Sequence, residues 1–493
     1  MDARASGSNL TRRAGVLAHV SSLPGPAHCG NFGHATSFFL DWCSASGLRL
    51  WQVLPLGFPG PGHSPYASMS AFACNPSWYA HRNSRERIEN DPLDRCDLLR
   101  ASRDRLRWLE EEWRRFTRNA GTAERREYEA YRESDEQRGW LDDWTLFAAL
   151  KERYVGRPWF EWDTELRRRE PGAVRAASNE CAERCDFHAW VQFELDRQAR
   201  LVRADAERHD ILWLGDLPFG LALDSADVWA RRELFRVDRD GRPAAVAGVP
   251  PDDFAPQGQR WNTPLFDWEA LAREGYRWWI ARCRATLCWT HALRLDHFRG
   301  YSATWEIPHE SDSAADGTWV EGPGDALFRS AAEAGLAQQL IAEDLGEITD
   351  DVHARRERFD YPGMHVLQFG LDDPESPHHP DRHRRHALAC TGTHDNDTFN
   401  GWFLGLEPER RERVGATLGS ATAPARAAVE MCWASPADWA VAPLQDLLEL
   451  GSRARMNQPG RAEDQWSWRC EPGLLDAERS AWLMQLARRH GRV

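Results

Sequence analysis

Lysine is almost absent from this 493-residue chain: Lys151 is the only one, so nearly all positive charge is arginine. Schiff-base chemistry and a Walker-type phosphate loop would both have to use that position. It sits in L-K-E-R-Y, a helical surface context that suits neither. The 11 cysteines include no C-x-x-C pair; Cys181 and Cys185 stand at helical spacing, and Cys283 and Cys288 flank a helix-to-strand approach. Unpaired thiols in a reducing compartment are the expectation. No apolar run reaches the roughly 18 residues that span a bilayer, and the opening M-D-A-R-A-S-G-S-N-L-T-R-R lacks the apolar centre of a signal peptide. A cytoplasmic protein with no membrane contact follows. Basic excess is lacking too: 62 Lys plus Arg face 76 Asp plus Glu, a formal charge of -14 that gives nucleic acid no reason to bind. There is no internal repeat and no low-complexity tract.

What is present is a rhythm. Short apolar runs ending in polar or Gly/Pro residues recur, each separated from the next by at least one helix-like stretch, as in parallel β/α units. Strands are predicted at 14–20, 49–54, 211–217, 292–295, 339–342, 364–368, 388–391 and 431–434. Eight strands suit an α/β fold of the (β/α)8 TIM-barrel type, a single domain over 1–493. Two intervals are too long to be connections and predict inserts after strands 2 and 3. Residues 75–210, dense in Arg, Glu and Trp as in R-L-R-W-L-E-E-E-W-R-R-F, predict a solvated helical subdomain. Residues 218–282, rich in Pro, Gly and Asp at 247–264, predict a loop-rich lid or substrate-binding element.

In such a barrel, reacting groups follow immediately after strands, at the C-terminal rim. Four carboxylates do so: Asp216 in L-G-D-L-P, Asp296 in L-R-L-D-H-F-R-G, Glu343 in I-A-E-D-L-G and Asp395 in T-G-T-H-D-N-D-T. Any one alone could be a helix N-cap, and His297 or His394 alone a core histidine. Together they suit glycosidic bond cleavage, which needs one carboxylate at the anomeric carbon and one protonated acid at the leaving oxygen. Arg294, two residues before Asp296 on the same strand face, predicts Asp296 as the ionised nucleophile. Glu343 has no arginine in its own segment, only Asp344, which predicts a raised pKa and the acid/base role. Asp395 with His394 can hold sugar hydroxyls and favour a distorted, partly cationic ring.

These residues lie in motifs that resemble the amylomaltase (4-α-glucanotransferase, disproportionating enzyme) family, relatives of the α-amylases. The likeness runs through S-S-L-P-G-P (21–26), W-Q-V-L-P-L-G (51–57), S-P-Y (64–66), G-D-L-P (215–218), A-G-V-P-P-D (247–252), R-L-D-H-F-R-G (294–300), W-E-I-P (305–308), A-E-D-L-G (342–346), T-G-T-H-D-N-D-T (391–398) and R-M-N-Q-P-G (455–460). The resemblance implies Asp296 as nucleophile, Glu343 as acid/base and Asp395 as the third carboxylate. It also implies glucan contacts by Ser64, Tyr66, Asp216, Trp261, Arg294, His297, His394 and Asn457. Of the 25 tryptophans, Trp261 is the one expected to meet sugar. The chain departs from the family's usual residues at His63 and Ala67 (Asp and Gln), in W-N-T-P from Trp261 (W-G-N-P), and at Gln465 (Asn). These positions concern the glucan groove rather than the carboxylates.

The expectation is transfer of 1,4-α-glucan segments to a 4-hydroxyl acceptor by retaining double displacement, with carboxyls about 5–5.5 Å apart. Maltooligosaccharides are the expected partners, no cofactor or metal is called for, and a monomer or weak homo-oligomer is expected. Three rivals remain. An α-glucan hydrolase would accumulate reducing ends from maltotriose instead of a ladder of longer products. A silent glucan-binding protein would have no activity for Asp296→Asn to remove. A metal-dependent hydrolase using H-H-P-D-R-H-R-R-H (378–386) would lose activity to EDTA, but three arginines within that stretch repel a cation and predict a solvated loop.

Overall fold

The structure, a computed structural model, describes residues 11–25, 28–60, 62–81, 95–251, 257–461 and 464–493. The opening stretch 1–10, Pro26, residues 82–94 of the helical insert and 252–256 of the expected lid lie outside the described residues. Eight parallel strands form the barrel: Arg13–Leu17 (β1), Leu50–Gln52 (β2), Leu212–Leu217 (β3), Ala292–Leu295 (β4), Leu340–Ala342 (β5), Gly363–Val366 (β6), Ala387–Cys390 (β7) and Trp439–Pro443 (β8). They pair in chain order, β8 returns to β1, and the Ala342 N–H donates to the Pro362 carbonyl at 2.9 Å across the β5–β6 seam. The expected barrel class holds.

One strand was misplaced by the sequence pattern. Residues 431–434 end the helix Pro424–Ala434, whose buried Ala425, Ala428, Val429 and Cys432 follow helical spacing. The eighth strand is the next apolar run, W-A-V-A-P.

Strand alternation builds the interior. Leu214, Ala292, Ile341, Met364, Val366, Leu388 and Val441 share one cluster inside the barrel. Two residues beyond an inward residue the chain again points inward, so Leu214 is followed by Asp216, Ala292 by Arg294 and Ile341 by Glu343. The apolar plug of the barrel thus passes directly into the polar groups above it.

The stretch 75–210 contributes the helices Leu98–Asn119, Thr122–Glu133, Leu141–Arg153, Pro171–Glu180 and Ala182–Arg208. Its aromatic residues Trp113, Phe116, Tyr128 and Trp190 belong to the same hydrophobic cluster as the residues packed between the barrel strands and their helices. Lys151 is not a surface residue: its side chain is 12% exposed, and its ammonium donates to Gly156 and Arg157 carbonyls and to Asp224 Oδ2 at 2.7 Å. The sole lysine is a tie between this stretch and the segment after β3.

The stretch 218–282 is more ordered than its composition suggests. Ala245–Val249 and Gln259–Pro264 join Ala303–Pro308 and Thr318–Glu321, from beyond β4, in a four-stranded antiparallel sheet. Trp261 therefore sits in a strand, not in an irregular loop. Asn262, where the family usually has Gly, adopts φ +58, a left-handed conformation that Asn tolerates better than most side chains.

The histidine-rich stretch is largely the solvated segment expected, with Asp381, Arg382 and Arg385 exposed, but one of its histidines is anchored inside. His383 is buried, with Nδ1 at 2.8 Å from Ser435 Oγ and Nε2 at 3.0 Å from the His378 carbonyl, and its ring stacks on His365 at 4.6 Å. Among the described residues no three His, Cys, Asp or Glu side chains are grouped to hold a metal ion. No helix among them is long and apolar enough to cross a membrane.

At the opposite end of the barrel, Arg492 is fully buried and donates to the carbonyls of Trp433, Ser435, Ala437, Asp438 and Arg13 at 2.6–3.4 Å. Among the described residues no carboxylate pairs with it; Arg12 also donates to the Ser435 and Ala437 carbonyls, and the Arg13 N–H to that of Asp438, but Arg492 is the buried cation that joins all five. Arg492→Ala is expected to lower unfolding stability by about 3–5 kcal/mol, and Arg492→Lys, with three donors, to recover only part. Urea midpoints followed by circular dichroism test this; an alanine variant within about 1 kcal/mol of the parent would refute it.

Candidate active site

Register brings the carboxylates together. Asp216 on β3 lies opposite Arg294 on β4, and Leu295 on β4 lies opposite Ala342 on β5. One residue further, the Asp296 N–H donates to the Leu217 carbonyl and the Glu343 N–H to the Leu295 carbonyl, both at 3.1 Å. Asp216, Asp296 and Glu343 therefore reach the rim on three adjacent strands.

Arg294, 4% exposed, stands among all three. Its Nη1 donates to Asp216 Oδ1 at 2.8 Å, Asp216 Oδ2 at 3.0 Å and Asp296 Oδ1 at 3.1 Å, while Nη2 lies 3.6 Å from Glu343 Oε2. The sequence contrast between an aspartate with an arginine and a glutamate without one is thus corrected: both carboxyls meet the same guanidinium. Asp344 is not the neighbour that perturbs Glu343 either, because it pairs with Arg356 at 3.1 Å and Arg384 at 3.3 Å and accepts the Met364 N–H.

Glu343 still differs from Asp296. Burial pushes its carboxyl up to about 8, with Arg294 opposing the rise and the Asp296 charge adding to it. Its two oxygens accept the His297 N–H at 2.7 Å and the Leu345 N–H at 3.0 Å. Asp296, 21% exposed, accepts at Oδ2 from the Phe219 N–H at 3.3 Å. One cation among three carboxylates leaves negative charge uncompensated, and a proton on Glu343 relieves it.

The remaining predicted residues form two groups. Tyr66 donates its hydroxyl to Asp216 Oδ2 at 2.6 Å, lies 3.2 Å from His394 Nδ1 and stacks on the His394 ring at 4.7 Å. His394 Nε2 is 3.4 Å from Asp395 Oδ2, and Asn457 donates to Asp395 Oδ1 at 2.6 Å. A continuous polar chain therefore runs from Arg294 to Asn457. Asp395, 48% exposed, stands on the rim and joins this polar chain through His394 and Asn457. Ser64 enters only indirectly, accepting the Tyr66 N–H at 3.3 Å. The second group is Trp261 against His297, edge to face at 4.9 Å. His297 adopts φ +48, its Nε2 is buried without a partner, and burial lowers its pKa to about 4.

Sequence reasoning missed several contributors. Phe219, Leu345 and Met364 act through backbone N–H groups, which no residue pattern reports. Trp466 lies 6.0 Å from the Tyr66 ring and 5.8 Å from the His394 ring. It stands in the departing Q-W-S-W-R segment, which was the available signal. Asp446 follows β8, which lies one apolar run later than the sequence pattern places it.

A rim of paired carboxyls, one protonated, beside aromatic faces and hydroxyl-binding groups suits cleavage and re-formation of glycosidic bonds. The sequence model of a family described as 4-alpha-glucanotransferase matches residues 18–475. A 4-alpha-glucanotransferase of Thermus thermophilus is 44% identical over 97% of this chain and 98% of its own length. One from Aquifex aeolicus (strain VF5) is 40% identical over 93% and 95%. The solved amylomaltase from Streptococcus agalactiae in complex with acarbose superposes with a TM-score of 0.91 at 30% identity, covering 98% of this chain and 99% of that one.

Proposed function

The chain belongs to the 4-alpha-glucanotransferase family and transfers segments of 1,4-α-glucan, and from that premise we propose how its own residues divide the work. Asp296 attacks the anomeric carbon as the glycosidic C–O bond breaks, and the departing oxygen takes the proton of Glu343. The acceptor's 4-hydroxyl then gives its proton to Glu343 and attacks the same carbon, releasing Asp296. Two displacements retain the α configuration. Asp395 and His394 hold hydroxyls of the distorted ring, Tyr66 and Asp216 brace His394 and Arg294, and Trp261 offers an apolar face to an adjoining glucose.

The observation that carries this reading is the shared Arg294 guanidinium, with an acid kept protonated to about pH 8 beside a second carboxylate. Water outnumbers a millimolar acceptor by on the order of ten-thousandfold, so transfer needs a preference of about 5 kcal/mol. The antiparallel sheet carrying Trp261 over His297 supports a covered acceptor site that can supply it. The expected partners are maltooligosaccharides, and the eleven free thiols support a cytoplasmic setting.

Maltotriose should yield glucose and a ladder of longer oligosaccharides; a steady rise of reducing ends would replace transfer by hydrolysis. The sign of the pH dependence follows from Glu343. Its pKa is raised, so the acid form prevails below about 8 and is lost above it, and kcat/KM should fall through that region. A profile flat to pH 9.5 would remove Glu343 from the acid role.

A further inference from the structure

Asp446 is a buried carboxylate, 1% exposed, in the short helix Leu444–Leu447 that follows β8. Its Oδ2 accepts the Thr391 hydroxyl at 2.6 Å, and its Oδ1 accepts the Phe399 N–H at 2.7 Å. Thr391 is the first residue after β7, and Phe399 is the first residue of the helix Phe399–Gly405. Between them runs the segment that carries His394 and Asp395. One side chain from a distant part of the chain thus holds both the entry and the exit of that loop.

At the start of that helix Thr398 accepts the Gly401 N–H, and Asp446 takes the separate Phe399 N–H from across the chain. Asp395 does not have deep anchors of its own: its half-exposed carboxylate meets Asn457 and His394, and its carbonyl accepts from Arg455 at 2.6 Å. Its position is therefore set chiefly by the loop backbone. Displacement by about 1 Å of a group that must meet a reacting ring costs on the order of a hundredfold in rate.

We propose that Asp446 is a positioning residue for the transfer reaction, fixing the 391–399 loop by both ends so that His394 and Asp395 meet the sugar in register. The proposal rests on the role given above to Asp395. The clamp is complete when both oxygens can accept, that is, when the carboxyl is ionised. Burial raises its pKa to about 6, opposed by the Phe399 and Thr391 bonds, with the charge of Asp397 adding to the rise. Cys390 on β7 and Cys432 on the helix Pro424–Ala434 are the other titratable groups facing it. Below about pH 6 a proton occupies one oxygen and Thr391 must turn away.

Four variants test this on maltotriose, with melting temperature recorded for each. Asp446→Ser is expected to lower kcat about 30- to 100-fold with KM within about threefold, measured well below its melting temperature. Asp446→Asn can still accept from Phe399 and can donate to a turned Thr391, so its kcat should stay within about tenfold of the parent while the acid limb near pH 6 disappears. Thr391→Val removes one arm and should cost about three- to tenfold, with no further loss when added to Asp446→Ser. If the serine variant does not fold, the asparagine and valine variants decide alone. Unchanged kcat in folded Asp446→Ser, or an acid limb retained in Asp446→Asn, overturns the proposal. Asp395→Asn is the control: if it stays active, the role of Asp395 has failed; if it is inactive while the Asp446 and Thr391 variants are not, only the clamp has failed.

Discussion

Asp296→Ala is expected to lose about ten-thousandfold or more in kcat for maltotriose disproportionation, with KM changed little. The reason lies in what remains: without the nucleophile, neither displacement has a carbon–oxygen bond to form, while Arg294, Asp216 and Tyr66 keep one another in place. Glu343→Ala should suffer comparably on maltotriose but differently on α-maltosyl fluoride, whose leaving group needs little protonation. There the first displacement survives, and a glycosyl group accumulates on Asp296. Alanine is the informative change at both positions. The two oxygens of Asp296 accept from Arg294 and Phe219, and those of Glu343 from His297 and Leu345, so an amide would turn an NH2 group on an N–H donor.

Azide separates the two roles. In the Glu343 variant it enters the second displacement and should release the α-glycosyl azide, the product of two inversions. In the Asp296 variant it takes the place of the nucleophile and should release the β-azide, the product of one. The opposite pairing of products would mean that the two assignments are exchanged, and neither product from either variant would remove both residues from the chemistry.

Much of this was legible because polar residues at strand ends have little other reason to be there. Arg294 and Asp296 share a strand face by the two-residue period, and that relation can be counted along the chain. Its extension to Asp216 and Glu343 cannot, because it depends on how β3, β4 and β5 slide against each other. For that reason Glu343 looked like an acid without an arginine, whereas it has one from the neighbouring strand and is protonated mainly through burial. Asp446 shows the other limit. The apolar pattern places β8 on the end of a helix, M-C-W-A, so the carboxylate just beyond the true strand falls outside the strand-end acids. The family likeness and its place in the second insert single out Trp261, although the sheet that carries it needs Ala303–Pro308 from beyond β4, a pairing across the chain that local pattern does not contain.

Arg294 itself is where the second large effect is expected. Arg294→Met should lower kcat by about a thousandfold or more, and Arg294→Lys by about a hundredfold, since one ammonium cannot span three carboxyls as the planar guanidinium does. Loss of activity alone would not separate orientation from misfolding, but the pH profile does. The guanidinium favours the ionised form of Glu343 and opposes its burial. Its removal must therefore move the basic limb upward from about pH 8, not downward. Stability should fall as well, by about 3–5 kcal/mol, because Asp216 has no exposed side-chain surface and keeps only the Tyr66 hydroxyl. Adding Asp216→Asn to Arg294→Met removes that buried charge and should restore much of the urea midpoint while leaving kcat low. If the double variant regained activity along with stability, Arg294 would be a partner of Asp216 alone, and the shared-cation account of Asp296 and Glu343 would be wrong.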